Sequence, residues 1–147
     1  MLNYLKNKMI RIIIPSIFLF SLFIGCTGSG KIVALENNEW IVTSIMGKTI
    51  NPGNQPDGFP IINFSDNNKL FGSTGCNKFI GSFKLDKNNI SLEPGAVTKI
   101  FCPDSPEQEF LSAIRKVSVF KFEGETLKLL NGSTTLMTLV PAEKKIP

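Results

Sequence analysis

The sequence predicts a mainly β fold, a compact antiparallel β-barrel or half-barrel with one amphipathic helix over about residues 105–117. Short segments rich in β-branched and aromatic residues recur along the chain, and clusters of glycine, asparagine and aspartate separate them. Beyond residue 26, only one segment has apolar residues at helical spacing. Short, numerous strands need covered edges, which a closed or helix-covered barrel provides.

The first 25 residues have the pattern of a signal peptide. Lys6, Lys8 and Arg11 form a positively charged start, and residues 12–24 are almost wholly apolar. A helix of that length reaches about 20 Å, short of the roughly 30 Å hydrocarbon core of a membrane. An uncleaved N-terminal membrane anchor is the alternative. Because nothing after Ile24 extends the apolar run, we favour a signal peptide over residues 1–25.

The charge of the chain is mostly a property of this signal. The 147-residue chain has a net charge of +4, but three of its sixteen basic residues and none of its twelve acidic residues lie in the signal. The mature chain therefore has a net charge of about +1, which argues against a nucleic-acid partner. Small residues predict a flexible tether over residues 26–35. Residues 36–141 suffice for one domain, and residues 142–147 form a C-terminal tail.

Nine segments have strand patterns: residues 40–46, 60–64, 69–73, 78–85, 90–92, 96–100, 119–122, 126–130 and 134–140. The fourth alternates most clearly, with Phe79, Gly81, Phe83 and Leu85 on one face and Ile80 as the apolar exception on the other. Asn131 and the glycine after it favour a type I′ hairpin turn between the last two strands.

One helix is predicted between the sixth and seventh strands. Ser105 is a suitable N-cap, Pro106 suits the first helical position, and Gln108 completes a capping box. The apolar residues of the segment then share one face of the helix: Phe110, Leu111, Ile114 and Val117.

Cys76 and Cys102 are the cysteines that remain once Cys26 is assigned to the signal boundary. Cysteines pair in the oxidising compartments that exported proteins reach, so a structural disulfide is favoured. Reactive thiols and a zinc site are the alternatives. Both are less favoured because the chain has no histidine to serve as a base or a ligand.

Several residues have both a functional and a structural interpretation. Asn77 is a candidate ligand-binding residue, but asparagine among glycines more often turns the chain. Trp40, the single tryptophan, is a candidate carbohydrate platform, but its apolar neighbours favour a core position. The glycines around Asn77 lack the spacing of a phosphate-binding loop, and strand bends or close backbone approaches explain them better: Gly72, Gly75 and Gly81.

Glu107 and Glu109 are candidate acid–base residues. Carboxylates in the first turn of a helix also interact favourably with the helix dipole, and that interpretation is preferred. Phe101 is expected to lie exposed in a loop, because it stands beside Cys102 and Pro103. We expect no cofactor and no metal ion.

The segment Leu22-Phe23-Ile24-Gly25-Cys26 resembles the lipobox of bacterial lipoproteins, apart from Phe23, where leucine is usual. The resemblance implies that Cys26 bears a diacylglyceryl group and becomes the mature N-terminus after cleavage. No acidic residue follows Cys26, so the outer membrane is the expected location if the host has two membranes. Otherwise we expect the outer face of the cytoplasmic membrane.

The mature domain resembles the META/HslJ family. Gly72-Ser-Thr-Gly-Cys-Asn-Lys-Phe-Ile-Gly81-Ser-Phe is similar to that family's G-x-x-G-C-N-x-x-x-G-x-[YF] signature, and Thr98-Lys-Ile-Phe-Cys102-Pro matches its downstream motif. Trp40 stands where the family usually has a tryptophan. The resemblance covers residues 36–140 and implies a compact β-barrel-like domain with a helix and a Cys76–Cys102 disulfide. It implies no shared biochemical activity.

Three functional hypotheses follow. The first is a non-catalytic, lipid-anchored module of the cell envelope that binds an envelope protein or supports stress tolerance. The second is a carrier of a small apolar ligand in the barrel interior or mouth. The third is a carboxylate-dependent hydrolase, ranked last because the chain lacks histidine and the usual nucleophile arrangements.

Overall fold

The computed structural model describes residues 28–51, 53 and 56–142. Within these residues, nine antiparallel strands form one sheet that closes on itself because the first strand also pairs with the last. The strands are β1 Glu39–Ile45, β2 Lys48–Thr49, β3 Ile61–Ser65, β4 Lys69–Ser73, β5 Lys78–Asp86, β6 Asn89–Val97, β7 Val119–Glu123, β8 Thr126–Asn131 and β9 Thr134–Pro141. The helices are α1 Gly28–Glu36 and α2 Glu107–Ile114. The predicted fold class is confirmed.

The alternation predicted for the fourth strand segment orients β5. Phe79 and Phe83 are buried inside the ring, whereas Ile80 points outward and is 61% exposed. Gly81 stands where β5 and β6 approach closely, since a β-carbon there would collide with the backbone carbonyl of Glu93. A β-carbon at Gly72 would likewise collide with the backbone carbonyl of Ile61. Strand bends or close backbone approach were the two explanations predicted for Gly72, Gly75 and Gly81, and close approach is found at Gly72 and Gly81.

The weakest pairing of the ring lies between β6 and β7, which share only the Asn89–Val119 partnership.

Helix α2 packs against β6 and β9 and buries Phe110, Ala113 and Ile114 in the core. The predicted amphipathic helix is therefore confirmed, although it spans fewer residues than predicted. The predicted cap is wrong, because the N-cap residue is Pro106 rather than Ser105 and it makes no side-chain cap hydrogen bond. The Ser105 hydroxyl accepts a hydrogen bond from the Glu107 amide at 3.3 Å, one residue before that N-cap.

The interior of the ring is filled by its own side chains. The largest of them are almost inaccessible to solvent, and Phe64 packs edge-on against Phe83 at 5.2 Å between ring centroids. Trp40 is 2% exposed and its indole nitrogen donates to the Leu35 carbonyl at 2.9 Å. The core position predicted for Trp40 is confirmed.

Strand β6 differs from the prediction of two separate strands over residues 90–92 and 96–100. A β-bulge, in which the register shifts between Phe79 and Ile80 on β5, lets one strand continue through Pro94 and Gly95. Gly95 adopts a φ of 58°, which a residue without a β-carbon tolerates. The strand ends at Val97, so Ile100 lies in the following loop.

The N-terminal side of the domain is helical from Gly28, within the segment predicted as a tether. The buried Leu35 side chain holds α1 against the ring, and the Asn38 side-chain amide donates to the Ala34 carbonyl at 2.8 Å at the end of the helix. Among the described residues, no helix is long and apolar enough to cross a membrane. The predicted signal peptide, Cys26 and residues 143–147 lie outside the described residues.

Candidate functional site

The side chain of Asn77 joins three segments at one end of the ring. Its amide nitrogen donates to the Ile100 carbonyl at 3.0 Å and to Oε2 of Glu107 at 2.8 Å. Its amide oxygen accepts from the Thr98 hydroxyl at 2.8 Å and from the Ile100 amide at 2.7 Å. Because Asn77 is 1% exposed, these bonds satisfy the polar atoms of a side chain that has little access to water. We call Thr74, Asn77, Thr98, Ile100 and Glu107 the Asn77 network.

The turn between β4 and β5 places Asn77 in this position. The Thr74 hydroxyl accepts a hydrogen bond from the Asn77 amide at 2.9 Å and donates to Glu107 Oε2 at 2.7 Å. Gly75 adopts a φ of 90°, which reverses the chain between them. The turn is therefore closed by local bonds and is tied to the start of α2.

The structural role predicted for Asn77 requires a correction. Asn77 was expected to turn the chain through its own backbone, but the left-handed residue of the turn is Gly75. The Asn77 side chain instead bonds to residues 21 to 30 positions away in the sequence. Its role depends on the return of the chain after β6, which no local sequence pattern predicts.

A disulfide links Cys76 to Cys102, whose α-carbons are 6.2 Å apart. The predicted pairing is therefore found in the structure. The bond connects the β4–β5 turn to the loop that precedes α2, so that loop is held both by the disulfide and by Asn77.

Three apolar side chains stand exposed beside the disulfide: Met46 at 42%, Ile100 at 63% and Phe101 at 89%. We call them the Phe101 tip. The predicted exposure of Phe101 is confirmed. Met46 is brought to the surface by a turn with positive φ angles of 48° at Met46 and 80° at Gly47.

An open cleft of about 900 Å³ lies between the Phe101 tip and α2. The carboxylates of Asp104, Glu107 and Glu109 line it together with the ammonium group of Lys116. The cleft is therefore predominantly acidic. No group of three or more histidine, cysteine, aspartate or glutamate residues within the described part of the chain is arranged to hold a metal ion.

Glu107 and Glu109 have different surroundings. Glu107 is half-buried and its Oε2 accepts two hydrogen bonds from neutral donors, so it holds the Asn77 network together at the start of α2. Glu109 is exposed in the same helical turn and contributes charge to the cleft. Both positions agree with the predicted interaction of carboxylates with the helix dipole.

Asp57 supports the β4–β5 turn from outside. Its Oδ2 accepts from the Ser73 hydroxyl at 3.0 Å and lies 2.8 Å from the ammonium nitrogen of Lys78. The hydrogen bond from Lys78, followed by that from Ser73, lowers the pKa of the Asp57 carboxyl below its ordinary value. The Asp57 amide also donates to the Gly75 carbonyl at 3.1 Å, so this segment packs along the turn.

The Phe101 tip and the cleft together form an exposed surface beside the Asn77 network. The polar groups of the network bond one another, and the side chains exposed around the cleft include the apolar tip, the carboxylates of Asp104 and Glu109, and Lys116. Thr74 and the tip residue Met46 were missed by sequence reasoning. Thr98 was noted only through the motif that it shares with Cys102.

Comparison with known proteins identifies the family of the domain. The sequence model of the META domain matches residues 33–144. The chain is also similar to the heat shock protein HslJ of Escherichia coli strain K12, with 26% identity over 121 residues, which is 80% of this chain and 81% of HslJ.

Solved structures share the fold. A protein from Burkholderia xenovorans determined by NMR has a TM-score of 0.60 at 16% identity, covering 77% of this chain and 88% of its own. Another protein structure determined by NMR has a TM-score of 0.59 at 21% identity, covering 76% of this chain and 95% of its own. The crystal structure of a DUF4847 family protein from Bacteroides vulgatus has a TM-score of 0.53 at 17% identity, covering 76% of this chain and 96% of its own. With its family model matched across the barrel, the chain belongs to the META domain family.

Proposed function

We propose that this protein is a lipid-anchored lipoprotein of the bacterial cell envelope and that its META domain is a non-catalytic interaction module. The observation that carries the proposal is the Cys76–Cys102 disulfide. Disulfides persist in oxidising compartments outside the cytoplasm. A domain with a disulfide that follows a signal-like segment fits an exported protein.

The proposed anchor is the diacylglyceryl group on Cys26. Each buried methylene contributes about 0.8 kcal/mol to membrane binding, so two or three acyl chains give stable attachment. Helix α1 begins at Gly28, only two residues after Cys26, so the anchored domain stands close to the membrane surface. The proposed location is the periplasmic side of the outer membrane, or the outer face of the cytoplasmic membrane in a host with one membrane.

The anchor is tested by replacing Cys26 with alanine in the full-length protein expressed in its host. We expect Cys26→Ala to leave the membrane fraction or to accumulate with its signal uncleaved. Intact mass spectrometry of the wild-type protein should show the acyl chains. Thr27→Ala is the matched control and should remain lipidated. A Cys26→Ala protein that is processed normally and stays wholly in the membrane would contradict the proposal.

Three features support a non-catalytic role. The chain has no histidine, and the disulfide occupies two of its three cysteines. Glu107 Oε2 is bonded to Thr74 and Asn77, which suits a structural role. The side chains of the ring interior fill it, so a ligand carrier that uses the interior has less support than an interaction module.

A role in envelope stress is proposed from the similarity to a protein named as a heat shock protein. A deletion strain should grow normally at its usual temperature and lose viability under heat or detergent stress. Wild-type protein should restore viability, and Cys26→Ala should not. Equal survival of the deletion and parent strains under every stress would argue against this role.

A further inference from the structure

We propose that the Phe101 tip and the adjacent acidic cleft form a docking surface for a polypeptide segment that presents lysine or arginine beside apolar side chains. This inference deepens the proposed interaction module and rests on it. It assigns the binding surface and the chemistry of the partner.

The first observation is the exposure of the tip. Phe101 is 89% exposed and Ile100 is 63% exposed, and they are consecutive in the chain. Met46, from the turn after β1, extends the same apolar surface along the cleft. A cluster of large apolar side chains in water favours contact with another molecule.

The second observation is that the tip is held in a fixed position. Ile100 is bonded through both its amide and its carbonyl to Asn77, and Cys102 is bonded to Cys76. Phe101 lies between these two attachment points. Its backbone is therefore ordered before any partner arrives, which reduces the entropy lost on binding.

The third observation is the charge beside the tip. Asp104, Glu107 and Glu109 outnumber Lys116 along the cleft. Charge complementarity favours a basic partner, and the ring of Phe101 is accessible to a cation. A second copy of this chain would bring two acidic clefts together, which disfavours self-association.

The position of the tip also separates it from the proposed anchor. Helix α1 contacts the N-terminal end of β1 through Leu35 and Trp40, whereas Met46 directly follows the C-terminal end of β1. A seven-residue strand is about 20 Å long. The tip therefore lies at the other end of β1 from the contact with α1, and its acidic neighbours would be repelled by anionic lipid headgroups.

The test is site-specific photocrosslinking with the full-length protein in the intact envelope of its host. A photoreactive phenylalanine analogue replaces Phe101 at the tip, Ile80 on the outer face of β5, or Lys69 as a polar exposed control. The crosslinked segment is then sequenced by mass spectrometry. We expect the Phe101 position to crosslink to a segment that contains basic and apolar residues, with little crosslinking from the other two positions.

A second variant tests the charge contribution. Asp104→Asn with Glu109→Gln should reduce the crosslinked yield at position 101 by about threefold or more, because it removes two carboxylates without reversing their charge. Asp66→Asn with Asp86→Asn is the matched control and should leave the yield unchanged, because Asp66 in the β3–β4 turn and Asp86 at the end of β5 do not line the cleft.

The remaining outcomes overturn the inference. Crosslinking from position 101 to lipid, to a second copy of the chain or to a segment without basic residues would contradict the proposed partner. Crosslinking to protein only from position 80 or 69 would refute this surface and leave the interaction module standing. No protein crosslink from any position, with the protein still in the membrane, would refute the interaction module as well.

Discussion

Among the residues of the candidate site, Asn77 makes the most side-chain hydrogen bonds. It satisfies the Ile100 amide and carbonyl, the Thr98 hydroxyl and one oxygen of Glu107. Removing one partner from a buried polar group leaves the other unsatisfied, which costs more than the bond itself contributes. The stability of this end of the barrel therefore depends strongly on one amide side chain.

We expect Asn77→Ala to lower the free energy of unfolding by about 2–3 kcal/mol, because it removes a nearly inaccessible amide and the four part-buried hydrogen bonds that this amide makes. Urea unfolding at neutral pH measures the change. Gln108→Ala, at an exposed position of α2, is the control and should change the free energy by less than about 0.5 kcal/mol. Equal midpoints for the two variants would show that the network does not stabilise the fold.

The contacts of the Asp57 carboxylate predict that the stability of the fold depends on pH. Its pKa is lowered from the ordinary value of 3.8, mainly by the hydrogen bond from Lys78. The unfolded state therefore binds the proton more readily, and the stabilisation present above pH 4 is lost as the pH falls through the lowered folded-state pKa. Both side chains are partly exposed, so solvent screening keeps the contribution below about 1 kcal/mol.

Asp57→Asn should consequently lose less stability than the wild-type protein between pH 6 and pH 3. Thermal unfolding across this range measures the difference. Asp66→Asn, an exposed aspartate in the β3–β4 turn, is the matched control. If Asp57→Asn and wild type lose stability in parallel, the ion pair with Lys78 does not contribute to acid sensitivity.

Residue roles were predictable where they depend on neighbours in sequence. The apolar flanks of Trp40 predict its burial, and the Ile100–Pro103 context predicts the exposure of Phe101. The pairing of Cys76 with Cys102 was predictable because exported proteins reach oxidising compartments and because these two cysteines remain once Cys26 is assigned to the signal boundary. The hydrogen bonds of Asn77 were not predictable, because their partners lie 21 to 30 positions away in the sequence.

At the scale of elements, the disulfide joins the β4–β5 turn to the loop before α2. The two cysteines are 26 residues apart, and the intervening chain contains all of β5 and β6. In the chain-entropy model, closing such a loop stabilises the native state by about 3.5 kcal/mol. The bond also fixes the loop that presents Phe101.

We expect Cys76→Ser with Cys102→Ser to lower the free energy of unfolding by roughly 3 kcal/mol. Urea unfolding with and without reductant measures the effect. Reductant should destabilise the wild-type protein by a similar amount and leave the double variant unchanged. A reductant effect of equal size in both proteins would assign the loss to something other than the disulfide.

Element boundaries were less predictable than element types. Pro94 and Gly95 suggest a break between two strands, yet a β-bulge carries β6 through both of them. The glycine-rich start of the predicted tether becomes part of α1 because Leu35 finds a buried position against the ring. In each case tertiary packing overrides a local preference for turn or coil.

At the scale of the whole molecule, the ring closes through the pairing of β1 with β9, near the two ends of the domain. Leu139 on β9 is fully buried and pairs with Val42 on β1 and Leu127 on β8. The fold therefore depends on contacts between distant parts of the chain. Such a structure is expected to unfold as one cooperative unit.

Trp40 offers a direct test of this cooperativity. It is the single tryptophan of the chain, and it contacts α1 through Leu35 and β7 through Phe122, whose ring centroid is 5.8 Å away. We expect its fluorescence and the far-ultraviolet circular dichroism to report the same urea midpoint. Leu139→Ala should shift both midpoints together and lower the free energy of unfolding by about 3 kcal/mol, since it leaves a cavity at the closing seam.

Thr134→Ala, at the exposed start of β9, is the control and should change the free energy of unfolding by less than about 0.5 kcal/mol. A tryptophan transition that precedes the circular dichroism transition would mean that the α1 end of the barrel opens independently. Because that end leads to the proposed anchor, independent opening would separate the membrane attachment from the folded tip. Coincident transitions would show that the α1 end and the rest of the barrel unfold as one cooperative unit.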